Sequence, residues 1–218
     1  MRSAPLALAS LLLLAACDDH TEGVAAATVT EPPTTATAPT APPSTARETL
    51  TIDRASSTLG FTGAKISATH DGSFSDFAGT IELDPANLTA SSVRMTIQMS
   101  SLLIEPERLA QHLVTPDFFD VAQFPTATFE STSVTAGSSD RIGDEAATHT
   151  ITGNLTLHGE TRSLSFPAIV TATPSGVRAR SELTINRRDF GIVYPGMPDD
   201  LIAEGVVIRF DMRAPRAS

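Results

Sequence analysis

The 218-residue chain has no tryptophan, one tyrosine, one lysine and one cysteine, and its aromatic residues amount to only 5%. Each scarcity closes an option. A single cysteine permits no disulfide within the chain and cannot supply the familiar Cys-rich zinc spacings. Lys65 is the lone lysine, there is no basic run, and the formal net charge is −10. That balance argues against nucleic acid as a partner, because phosphate binding needs clustered Lys and Arg. H-E-x-x-H, G-x-S-x-G and phosphate-cradling glycine loops are also missing. The five histidines, His20, His70, His112, His149 and His158, are scattered and form no catalytic spacing. No catalytic, metal or cofactor set emerges, so the reading is of a protein that is not an enzyme.

What is present begins with an address. Arg2 precedes an apolar run from Leu6 to Ala16, too short to span a bilayer and suited to the core of a signal peptide. The run ends in "LAAC", residues 14–17, which resembles the lipobox of bacterial lipoproteins. That resemblance implies a signal peptide over 1–16 and a lipidated Cys17 at the periplasmic face of a membrane. The alternative is an ordinary secretory signal with an incidental cysteine. Residues 18–47 then hold five prolines, eight threonines and no aromatic residue. Such a stretch buries too little apolar surface to offset its ordering entropy, so 17–47 is expected to be a disordered tether.

After Arg47 the pattern changes to alternation. "VRMTIQMS" (93–100), "DFAGTIEL" (76–83) and "VVIRFDMR" (206–213) each place apolar residues on one face and polar residues on the other. Period two over many segments predicts antiparallel strands with one wet and one dry face. About eight strands are expected, over 48–63 (bent near Ala55), 74–83, 92–100, 126–134, 147–157, 161–172, 177–186 and 203–213. The one helical candidate is "EPERLAQHLV", residues 105–114. The fold class is therefore all-β, as a sandwich or a closed barrel. Small inward residues such as Gly79, Gly153, Ala179 and Ser181 suit a cavity wall.

Three stretches together resemble the YceI-like family: "HLVTPDFFDVAQFPTATFES" (112–131), "ITGNLTLHGETRSLSFPAIV" (151–170) and "INRRDFGIVYPG" (185–196). The resemblance implies an extended, lipocalin-like antiparallel β-barrel over 48–214 that binds a polyisoprenoid or another long amphiphilic lipid. It makes the apolar phase of the strands the tunnel wall, with Phe61, Phe77, Phe129, Phe166 and Phe210 on it. Phe118 and Phe119 are adjacent, so in a short helical turn their rings diverge, one toward the core and one toward the cavity. Phe190 and Tyr194 are expected at the wall or mouth. Arg187 and Arg188 offer guanidinium groups to an anionic head group, or to Asp189 or another nearby acid. The partners implied are a lipid ligand and, through the anchor, a membrane; a homodimer stays open. A barrel filled by its own side chains is the competing reading.

Overall fold

The computed structural model describes residues 20–32 and 47–216. The expected signal peptide, Cys17 and residues 33–46 of the expected tether lie outside the described residues. The described chain runs through β1 (Thr28–Thr30), β2 (Glu48–Thr51), β3 (Thr58–Lys65), β4 (Ala68–Phe74), β5 (Phe77–Leu83), β6 (Ser92–Gln98) and β7 (Leu102–Ile104) to α1 (Glu107–Leu113). After the helix come β8 (Thr126–Ala136), β9 (Arg141–Ile142), β10 (Glu145–Ala146), β11 (His149–Leu157) and β12 (Glu160–Thr173). β13 (Gly176–Asn186), β14 (Gly196–Met197), β15 (Asp200–Leu201) and β16 (Gly205–Pro215) complete it. Twelve strands share one sheet, in the order β2-β5-β6-β8-β11-β12-β13-β16-β3-β4-β7 with β1 added against β12. The sheet curls into a half-barrel around its apolar face.

The curl depends on a break in the first long strand. The Asp53 carboxylate accepts from the Ala55 amide at 3.1 Å and from the Ser56 hydroxyl at 2.5 Å, which holds the tight turn Arg54–Ser56. Before the turn the chain pairs with β5, and after it with β16. Ile52 N–H donates to Gly79 O at 2.9 Å and Asp53 N–H to Arg213 O at 2.7 Å, so neighbouring residues serve the two flanks. The bend expected near Ala55 thus has a structural purpose: the chain passes from β2, at one edge of the curled sheet, to β3, an inner strand beside β16.

The expected count of about eight strands is corrected. Each expected strand has a counterpart, but the 48–63 segment divides into β2 and β3, and residue 74 belongs to a separate strand, β4. The sequence of β4, "ATHDGSF", has no apolar alternation to read, because its inward positions are His70, Gly72 and Phe74. Gly72 is small for a reason: a Cβ there would lie 2.4 Å from Cζ of Phe61, whose ring occupies the space. β7, β9, β10, β14 and β15 are two- or three-residue strands, too short for periodicity to register.

Between β12 and β13 the wall splits. The two strands pair only over 169–173 and 176–180. At Pro167, which has no N–H, the Ser181 hydroxyl donates to the proline carbonyl at 2.6 Å. Beyond this point residues 25–30, part of the expected tether, lie in the slit. β1 pairs antiparallel with Ser163, Leu164 and Ser165 of β12. On the other side Ala27 N–H donates to Thr184 O at 2.8 Å, and Thr184 N–H to Ala25 O at 2.9 Å. Val29, opposite Leu164, joins the apolar cluster of Leu164, Phe166 and Leu183.

A charge at Val29 would face that cluster without a partner, at a large desolvation cost. Val29→Asp should therefore release the segment: in hydrogen exchange the Ala27 and Thr184 amides lose protection while the β13–β16 ladder keeps its own. Unaltered exchange at Thr184 would show that the slit is closed by something else.

Candidate ligand-binding tunnel

The apolar phases of the strands do not meet in the middle. They surround a cavity of about 360 Å³, within the roughly 300–1,000 Å³ usual for small-molecule sites. Its wall is continuous carbon along the barrel. One end is lined by Ile52, Leu83, Leu88, Val177 and Met212. The middle carries Phe129, Phe166 and Phe210, with ring centroids 5.7 Å apart for the first pair and 6.0 Å for the second. The far end is lined by α1 and the segment after it, through Leu109, Leu113, Phe118 and Phe119.

The Pro-flanked aromatic segment brings both Phe118 and Phe119 to the cavity. Phe119 lines the cavity and stands edge-on to Phe61 at 6.4 Å and to Phe74 at 6.2 Å. Phe118 is buried beside it, lines the same end, and packs outward against His112 at 5.0 Å and Tyr194 at 5.4 Å. His112 in turn bonds the Asp117 carboxylate at 2.8 Å, which fixes the end of α1 to the following turn. Phe124 sits on the His158 ring at 4.9 Å over Gly159, outside the tunnel.

Of the sequence-named wall residues, Phe61, Phe118, Phe119, Phe129, Phe166 and Phe210 line the cavity. Phe77 does not: it is buried in the cluster of Leu50, Ile52 and Ile81. Phe190 is fully buried in the turn after β13 and packs behind the wall. Tyr194 stacks over Phe118 and His112 instead of facing the cavity. For Phe77 the reason is that sequence phase identifies the dry face of a strand but not the depth at which a ring lies; Phe190 and Tyr194 lie off the strands, where phase does not apply. Phe74 was missed, since it falls at the end of the unrecognised β4.

The two candidate head-group arginines are occupied. Arg187 is buried, and its guanidinium donates to Ala203 O at 2.9 Å, Ile192 O at 2.6 Å and Ile202 O at 3.2 Å. Burial pulls its pKa below the ordinary arginine value, the neighbouring Arg188 adds to this, and Glu204 opposes it. The side chain therefore pins the loop 192–203 across one end of the barrel. Arg188 pairs with Glu204 at 3.1 Å, the acid-pairing outcome foreseen for this dipeptide. Lys65, at the same end, bonds Asp200 and holds that carboxyl below its usual range.

Two of the small inward residues have a different role from the expected one. A Cβ on Gly153 would lie 2.4 Å from Cζ of Phe129, and one on Gly79 2.8 Å from Cδ1 of Ile52. These glycines seat large neighbours, and the Phe129 ring lies over Gly153 where it would otherwise enter the tunnel. Ala179 remains open to the cavity. Among the described residues no cluster of His, Cys, Asp or Glu could hold a metal ion. The chamber offers a guest van der Waals contact and almost no hydrogen bonds.

The described residues thus form an antiparallel half-barrel curled about an apolar tunnel. Residues 50–214 match the YceI-like domain, and the chain belongs to that family. A UPF0312 protein of Pseudomonas putida is 34% identical over 146 residues, covering 62% of this chain and 72% of the relative. A UPF0312 protein of Pseudomonas aeruginosa is 39% identical over 127 residues, 56% of this chain and 62% of the relative. Among solved structures, BcnA of Burkholderia cenocepacia has the same fold, with a TM-score of 0.64 at 24% identity over 75% of this chain and 99% of its own. A polyisoprenoid binding domain from Saccharophagus degradans gives 0.60 at 15% identity, over 77% and 98%.

Gly153→Ala should force the Phe129 ring off its seat against the Glu130 backbone, overpacking the wall at a cost of about 1–3 kcal/mol. Thermal melting checks this, and a variant as stable as the parent would mean that the ring can move freely.

Proposed function

We propose that the protein holds a long-chain amphiphilic lipid, a polyisoprenoid, an isoprenoid quinone or a fatty-acid-like chain, in the barrel tunnel. The continuous apolar cavity carries this reading. Each CH₂ moved from water into such a wall contributes about 0.8 kcal/mol, so a long chain is retained without any polar contact. The YceI-like family membership and a polyisoprenoid binding domain of the same fold support the assignment. In this reading the lipid is a ligand carried by a binding protein, and Cys17 anchors that protein to the periplasmic face of a bacterial membrane. The Pro/Thr stretch 33–46 then serves as a connector within the chain, between the slit segment and the barrel.

Two measurements test the proposal. Organic extraction of the purified protein followed by mass spectrometry should find a long-chain lipid. Ala179→Phe should lower its amount with little loss of thermal stability, because the added ring enters open space. If the interior were solid, the same substitution would overpack it by about 1–3 kcal/mol, and no preparation would contain lipid. For the anchor, Cys17→Ser should move the protein from the membrane to the soluble fraction; unchanged partitioning would refute it.

A further inference from the structure

The described residues contain five large apolar side chains that stand in solvent, and four of them occur in two neighbouring loops. Ile66 is 72% exposed at the β3–β4 turn; Val193, Met197 and Leu201 are 60%, 62% and 48% exposed in the loop 191–203. The loops are joined: Ile66 N–H donates to Leu201 O at 3.1 Å, and Ala203 N–H to Ala64 O at 2.9 Å. Ser67 N–H and its hydroxyl both bond the Asp200 carboxylate, at 3.0 and 2.9 Å, and Lys65 bonds the same group. Arg187 braces the assembly from below through the carbonyls of Ile192, Ile202 and Ala203. Exposed apolar residues scattered singly need no explanation, but apolar residues projecting from one braced rim do.

Two further observations say what covers this rim. The tunnel lining runs out to Ala64, Lys65, His70 and Ile202, directly beside it. The second is where the chain leaves the barrel. His20 bonds the Gly205 carbonyl at 3.0 Å, and a Cβ on Gly205 would lie 3.0 Å from Thr21. Gly205 begins β16, two residues after Ala203, at this same end. Cys17 is three residues before His20, so its Cα can lie no farther than about 11 Å from that of His20. The expected acyl anchor and the apolar rim therefore emerge at one end of the molecule. At this end Lys65 is paired with Asp200 and Arg188 with Glu204, and the formal net charge of −10 disfavours anionic lipid.

From this we infer that the rim of Ile66, Val193, Met197 and Leu201 is a membrane-docking surface that inserts into a neutral phospholipid bilayer and sets the tunnel mouth against it. The orientation rests on the anchor reading of Cys17 and the purpose on the tunnel reading; the surface itself rests on neither. Docking at this end gives the lipid a path from bilayer to tunnel that does not cross water.

The test uses the chain without residues 1–17, which keeps every described residue and removes any acyl group. It should float with phosphatidylcholine vesicles. The combined variant Ile66→Glu, Met197→Glu, Leu201→Glu should lower vesicle binding by about tenfold or more, since each tenfold corresponds to 1.4 kcal/mol of lost apolar contact. Leu103→Glu, at the exposed apolar residue on β7 away from the rim, should leave binding unchanged. The inference is overturned if the parent chain does not float, if the triple variant floats equally well, or if binding requires phosphatidylglycerol. It is also overturned if sedimentation shows that the triple substitution splits a dimer, which would make the rim a contact between copies. Lipid extracted from the same preparations separates this outcome from the tunnel reading. An empty tunnel with intact docking refutes the bound ligand alone, and a loaded tunnel with no rim effect refutes docking alone.

Discussion

Everything in this fold hangs on the turn Arg54–Ser56, where a single strand is bent between two neighbours. An antiparallel sheet with one apolar face must bury that face, and a half-barrel does so by bringing its own margins together. Here the chain itself crosses from the β2 margin to β3, with Ile52 bonded to β5 and Asp53 to β16. Asp53 holds the bend through two bonds to its own turn. The same bend decides the bore of the tunnel. The apolar residues before it, Leu50 and Ile52, and after it, Leu59 and Phe61, approach the cavity from different directions.

The bore then sets how the site recognises a guest. Large side chains are kept out of the lumen by glycines beneath them, as at Gly153 under Phe129, and the buried guanidinium of Arg187 is satisfied by backbone. Three carbonyls take its donors before any ligand can. Selection in such a chamber works through length, girth and curvature, because an apolar wall separates neighbouring chain lengths by only about 1–3 kcal/mol per methylene.

Much of this was legible in residue order, and the failures have physical causes. Strict alternation in 93–100 and 206–213 exposed the dry face and so most of the wall, and the bend near Ala55 showed as a break in phase. β4 was hidden because its inward positions are histidine, glycine and a terminal phenylalanine, which carry no period-two hydropathy. Phe77 was placed at the lumen because phase gives direction without depth, whereas Phe190 and Tyr194 were expected at the wall or mouth and lie in the turn and loop after β13, where no strand phase applies. Residues 20–32 read as unstructured because they contribute little apolar surface of their own. Their order comes from unpaired backbone on β12 and β13, which belongs to the partner strands and leaves no mark on the segment's composition.

A chain cut within 33–46 would keep residues 20–32 only by non-covalent contacts, as a bound peptide in a groove between two strand edges. Once that peptide left, β12 and β13 would face each other across a gap lined with unsatisfied amides and carbonyls, an invitation to any extended polypeptide nearby. The empty groove would be a receptor for donor strands, in the manner of chaperone–pilin complementation. The intact chain avoids this by carrying its own donor, tethered at high effective concentration to the slit it fills.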